Sequence, residues 1–156
     1  MVGNRPLLAE DFMALKVELK PGERIIIGEC VVTNDDHRAR LLIEGSVPIL
    51  RERDIMTVDR ATTPAKRLYL AVQLMYTSPD PRAHHELYFT LMREILTAAP
   101  SVWPYIDGIN NHILTGQMYK ALKEAKKLIA YEEDLIGHAS RGTDLWGGGE
   151  TDRESA

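Results

Sequence analysis

The sequence predicts an α+β protein in which a five-stranded antiparallel β-unit is followed by a bundle of about four α-helices. Three observations carry that expectation. Short runs of alternating or β-branched residues, separated by Gly, Asn and Asp turn signals, fill Leu15 to Arg51. A clean helix start stands at Thr63-Pro64, and from there to Gly137 the apolar residues recur at helical spacing. Proline and glycine then punctuate that second stretch into separate helices.

Each strand follows from its residues. Leu15-Lys16-Val17-Glu18-Leu19-Lys20 alternates apolar and charged side chains, so one face of the pleat is apolar and the other wet. Pro21-Gly22 breaks it. Arg24 to Ile27 is β-branched, and Gly28-Glu29 suits a two-residue hairpin turn into Cys30-Val31-Val32-Thr33. Asn34-Asp35-Asp36 is the next turn, because short polar side chains bond nearby main chain. Arg38 to Glu44, the turn Gly45-Ser46 and Val47 to Arg51 complete a meander. So small a sheet needs a second layer, supplied by the helices or by another copy of the chain.

The helices follow similarly. Thr63 is an N-cap and Pro64 fits the first helical position. Leu68 to Tyr76 is apolar nearly all round, the mark of a helix covered on most sides. Asp80-Pro81 begins a second helix to about Ala99. Ser101 begins a third with Val102, Ile106, Ile109 and Ile113 on one face, and Gly116 is its left-handed cap. A fourth runs from Gln117 to Ile136, closed by Gly137, and should form an antiparallel hairpin with the third. Residues 1–12 read as a flexible leader, 13–60 as the β-domain, 61–137 as the helical domain and 138–156 as a disordered tail. In that tail Leu145-Trp146 is the only large apolar pair.

Composition narrows the function classes. At 156 residues the chain can hold a real core, and its 44 % hydrophobic and 27 % charged content is ordinary for a globular protein. The net charge of −4 does not advertise nucleic-acid binding, but half a dozen acids (Glu10, Asp11, Asp144, Glu150, Asp152, Glu154) lie near the two ends. The middle is close to neutral, and a local basic patch is what a phosphate backbone meets. Cys30, the single cysteine, excludes an internal disulfide and reads as a small hydrophobe. No run is apolar enough to span a membrane and no signal sequence is visible, so a cytoplasmic protein is expected.

Enzymatic chemistry finds no foothold. Adjacent His84 and His85 would point apart on a helix. No zinc-protease motif, nucleophile elbow or phosphate-binding loop occurs, and Glu132, Glu133 and Asp134 read as solvated carboxylates at a helix end. No catalytic residue, metal site or cofactor is assigned. Binding has more to work with. The meander carries Lys16, Lys20, Arg24, Arg38, Arg40, Arg51 and Arg53. Arg38 and Arg40 share a face by strand periodicity, as do Arg51 and Arg53 if the fifth strand extends that far. Arginine can grip phosphate with a planar fork, read a guanine edge or stack on an unpaired base. The plainer reading is a solvated face balanced by Glu18, Glu44 and Glu52. Lys120, Lys123 and Lys127 form a second basic row on the fourth helix.

Gly22-Glu23, Ile27-Gly28-Glu29 and Val47-Pro-Ile-Leu-Arg51-Glu52 resemble the CsrA family of RNA-binding carbon storage regulators. The longer series LKPGERIIIG, TNDD, ILRERDI, TPAKRLYLAVQLMY, INNHILTG and YKALKEAKKLIAYE resembles the flagellar-biosynthesis repressor family FlbT over about Leu15 to Leu135. In the former family the first and last strands of opposite subunits together make the RNA surface. That resemblance implies a role for Arg51 and, less directly, Lys20; Leu19 departs from the family's paired basic residues. The latter implies post-transcriptional repression of flagellin through the 5′ untranslated leader of its mRNA, by promoting decay or blocking translation. The expected RNA contacts are Lys20, Arg38, Arg40, Arg51 and Arg53, on a homodimer or higher homo-oligomer joined by exchanged edge strands. The competing reading is a protein-binding adaptor or chaperone for flagellin or another flagellar regulator.

Overall fold

A computed structural model describes residues 14–155, with side chains to residue 140; the leader at 1–12 lies outside the described residues. Five strands precede four α-helices: β1 (Leu15–Leu19), β2 (Arg24–Ile27), β3 (Cys30–Thr33), β4 (Ala39–Ile43) and β5 (Ile49–Arg51), then α1 (Pro64–Thr77), α2 (His85–Ala98), α3 (Trp103–Leu114) and α4 (Met118–Ser155). The α+β class is as expected. The strand pairing is not. The strands form two antiparallel sheets, β1-β4 and β3-β2-β5, instead of one five-stranded meander.

The first turn explains the division. Lys20-Pro21-Gly22-Glu23 closes with the Glu23 amide donating to the Lys20 carbonyl, and Gly22 sits at φ +78°. Pro followed by a left-handed Gly makes a type II turn, whose twist splays the strands it joins. β1 therefore leaves its sequence neighbour and pairs with β4, Leu19 opposite Ala39 and Leu15 opposite Ile43. At Gly28-Glu29 the twist suits a hairpin: Gly28 is at φ +65°, and Ile27 lies opposite Cys30. β5 returns antiparallel on the other side of β2, Ile25 opposite Arg51.

Alternation now assigns the faces. Val17 and Leu19 of β1 and Ile25 of β2 are buried in one cluster, against which Ile27, Leu41, Ile43 and Ile49 pack. This apolar seam holds the two sheets together. β3 lies at the margin, with Val31 and Val32 exposed, and Cys30 is solvent-exposed as well.

The chain divides into two compact units between Ile55 and Met56, the strand-bearing unit also taking Thr77–Pro79. Met56 begins the second unit because Gln73 of α1 clamps it. The Gln73 side-chain amide accepts from the Met56 amide at 2.7 Å and donates to the Met56 carbonyl at 3.1 Å. In that unit α1 is covered on most sides, burying Ala65, Leu68, Tyr69, Ala71, Val72, Gln73 and Met75. α2 buries less, chiefly Tyr88 and Ile95. The Tyr88 hydroxyl donates to Asn110 Oδ1 at 2.6 Å, and burial raises this phenol far above its ordinary pKa. α3 and α4 form the expected antiparallel hairpin through Gly116, at φ +75°. Tyr105 stacks on Tyr131, and Glu124 lies so close to Gly108 that an added Cβ would meet its Cγ at 3.1 Å.

Two helix expectations need correction. Gly137 does not close the last helix, which continues as Met118–Ser155, so the tail expected to be disordered from 138 begins as helix. One glycine costs only about 1 kcal/mol against alanine inside a helix. No proline follows at 138–140 to stop it, and the His138 ring bonds the Asp134 carbonyl a turn back. Glu132, expected to be solvated, is 7 % exposed. Its carboxylate accepts from the Ala65 amide at 3.0 Å and from the Thr63 hydroxyl, while Thr63 Oγ1 also accepts from the Lys66 amide. Thr63 is thus the N-cap predicted for α1, and α4 supplies a second cap that chain order hides.

Glu132→Ala strands a buried amide and removes two charge-assisted bonds, so it should lower stability by about 3 kcal/mol in urea unfolding. A change below about 0.5 kcal/mol would refute the double cap.

Candidate functional site

The wet face of β1-β4 is built by the same alternation that builds the seam. Lys16 and Glu18 point outward from β1, opposite Leu42 and Arg40 of β4. Arg38 precedes β4 on the same row. Glu18 stands between the two arginines, 3.4 Å from Arg38 Nη1 and 3.4 Å from Arg40 Nη2. All three side chains are more than half exposed, so water screens these pairs and each contributes under about 1 kcal/mol. Lys16 joins Glu18 and Arg40 around one shallow depression, and Glu18, Arg38, Ala39 and Arg40 line another. Three cations face one carboxylate. Leu42, 65 % exposed, lies beside them, and Glu44 follows two residues on.

One side chain braces this edge from below. Asn34 donates through Nδ2 to the carbonyls of Leu19, Lys20 and His37 at 3.1, 2.9 and 2.7 Å. It ties the end of β1 to the loop that delivers Arg38. The Gly22 amide bonds the Asn34 and Asp35 carbonyls, closing the two turns against each other.

The five residues expected to touch RNA fall into separate places. Arg38 and Arg40 lie together, and Lys20 follows the end of β1 on the same sheet. Arg51 belongs to the other sheet. Its partner Ile25 is in the seam, so Arg51 lies on the inner side, and its Nη2 reaches the Lys16 carbonyl at 3.4 Å. It bridges the two sheets. β5 ends at Arg51, and Glu52–Asp54 is a single 3-10 turn, so Arg51 and Arg53 do not share a strand face. Arg53 is 3.9 Å from Asp54, and Arg24 pairs with Glu52. Lys16 and Asn34 were not among the expected site residues. Lys16 lies with the arginines only because β1 pairs with β4, which neighbour-to-neighbour reading does not suggest.

Among the described residues no group of His, Cys, Asp or Glu is arranged to hold a metal, and no helix is long and apolar enough to cross a membrane. His112 lies near Gln117 at the end of α3, while Asn110 is held by Tyr88 and by Met92 Sδ.

The strand-bearing unit thus presents an exposed arginine face on β1-β4, and a helical unit follows it in the chain. The chain belongs to the FlbT family: the model described as "Flagellar protein FlbT" matches residues 15–136. That family is a regulatory one and not a family of enzymes. A protein of Bradyrhizobium diazoefficiens named as a probable flagellum biosynthesis repressor is 68 % identical over 126 residues, 80 % of this chain and 86 % of its own. A Rhodopseudomonas palustris protein of the same description is 51 % identical over 124 residues, 80 % of this chain and 98 % of its own. The Caulobacter vibrioides flagellum biosynthesis repressor is 36 % identical over 138 residues, 86 % and 98 % of the two chains. No solved structure matches.

Asn34→Ala removes three bonds at once and should cost about 2 kcal/mol in urea unfolding. Unchanged stability would show that the β1 edge is held by something else.

Proposed function

We propose that this protein represses flagellum biosynthesis after transcription, binding the 5′ untranslated leader of flagellin mRNA and promoting its decay or blocking its translation. The relatives' description as flagellum biosynthesis repressors supports the repression. The likeness of the strand region to an RNA-binding family supports the target. The observation that carries the site is the pair Arg38 and Arg40, exposed beside Lys16 and sharing the one carboxylate of Glu18. Each guanidinium has five N–H donors, and a long 3.4 Å contact to Glu18 occupies little of that capacity. A phosphate or an unpaired base competes well for the remainder.

In this reading Arg38 and Arg40 make the primary contact, Lys16 and Lys20 steer, and exposed Arg53 adds charge. Arg51 works first as a brace between the sheets, so its substitution tests folding as much as binding. The protein acts in the cytoplasm as a homodimer, joined through a sheet edge such as β3, whose Val31 and Val32 are exposed. Sedimentation over a concentration series reads this directly; a monomer at RNA-binding concentrations would remove dimerisation from the reading. No cofactor is required.

The test is a shift or filter assay on the flagellin leader at two salt concentrations, with a scrambled RNA of equal length as control. Arg38→Gln/Arg40→Gln should reduce the slope of log affinity against log salt by about 1.4, two phosphates at about 0.7 each. Glu18→Gln frees both arginines and should strengthen binding about two- to three-fold, with stability changed by less than about 0.5 kcal/mol. A wild type without affinity for the leader, or an unaffected double variant, sinks this site. Adding flagellin to the same assay then distinguishes a protein adaptor.

A further inference from the structure

We infer that the exposed face of α4 is a second contact surface for single-stranded RNA, taking phosphates on its lysines and a base on Tyr119. The inference rests on the RNA-binding reading above, and it concerns the helical unit by itself.

Lys120, Lys123 and Lys127 recur at i, i+3 and i+7 and are all exposed, with Lys126 exposed beside them. Over Met118 to Tyr131 the one acidic residue is Glu124. That carboxylate pairs with one lysine of the row, Lys127, and is largely covered. It is turned towards Gly108 of α3, its side chain 22 % exposed, and its ion-pair contact is Lys127 at 3.6 Å. Gly108 makes this possible, because any larger residue there would press on Glu124. The lysines span about 10 Å along the axis, from seven residues at about 1.5 Å each. They begin in the first turn, where the helix dipole favours an anion.

An aromatic ring separates this face from an ordinary solvated one. Tyr119 is 42 % exposed, its ring centroid 5.8 Å from that of Tyr76 and 5.1 Å from Lys123 Nζ. A half-exposed tyrosine backed by a second ring and flanked by lysines is the pairing that single-stranded nucleic acid exploits. Bases stack on the ring whatever their identity, and cations follow the backbone. Lys123 has a flexible stem, so a base arriving on Tyr119 displaces the ammonium towards the adjoining phosphate. An acidic polypeptide would use the lysines but has no need of the ring, and on that ground RNA is the occupant inferred.

The experiment uses the full chain and a labelled, unstructured oligouridylate. Lys120→Gln/Lys123→Gln/Lys127→Gln should lower affinity on the order of ten-fold and reduce the salt slope by about 2, three phosphates at about 0.7 each. Tyr119→Leu should lower affinity about five-fold or more with the slope unchanged, since stacking releases no counterion. Thermal unfolding confirms that both variants are folded, and the lysine set, being exposed, serves if Tyr119→Leu is not. Wild-type RNA affinity in the lysine variant overturns the inference and leaves the arginine sheet as the site. If Arg38→Gln/Arg40→Gln retains binding that the α4 variant loses, the inference stands and the sheet reading fails. No binding by the wild type overturns both. Lost affinity for polyglutamate with RNA affinity intact overturns it in favour of a protein contact.

Discussion

The strand-bearing unit depends on one apolar seam. Val17, Leu19 and Ile25 are its buried centre, and four partly covered aliphatic residues close around them. It joins two thin sheets of two and three strands. Every outward-facing side chain of β1 and β4 owes its position to this seam, because in a strand of period two a residue one place along must point the opposite way. A slip of one residue would bury Lys16, Glu18 and Arg40 and expose Val17 and Leu19 instead. The cost of burying those charges holds the register, and the register in turn places Arg40 across from Glu18.

Local chemistry was the legible part. Gly22, Gly28 and Gly116 stand where their backbone demands a positive φ, Thr63-Pro64 starts α1, and most of the all-round apolar run from Leu68 to Tyr76 is buried. Pairing between distant segments was not legible, for two physical reasons. β1 could extend a hairpin with β2 by its residues, and only the hand of the type II turn at Pro21-Gly22 directs it to β4. Glu132 carries no sign that it faces Thr63, since the contact joins residues 69 apart. Arg51 was singled out as a binding residue from its likeness to a family position, but strand parity places it on the seam side. Its guanidinium is partly engaged by a backbone carbonyl, a detail of pairing and not of composition.

Overall charge is a poor guide to this surface. The chain is acidic in sum, at −4, yet its local arrangement sets three cations around Glu18 on the sheet and three lysines in a row on α4. Glu124 shows how such a row can persist. Packed over Gly108 and paired with Lys127, it leaves most of the solvent face to the lysines without removing the acid from the sequence. Net charge counts both residues equally. A ligand meets only the side they present.

The double cap on α1 also bears on the order in which the protein is made. The Ala65 amide is closed by a carboxylate 67 residues further along the chain. While the chain is emerging from the ribosome, all five strands and the whole of α1 are outside before Glu132 has been added. The strands can complete their seam from residues already present. α1 cannot complete its own first turn, and its buried amide must be served by water until α4 arrives. A nascent chain stalled before that point carries a helix whose start is still hydrated, and release of the last helix is the event that dries it.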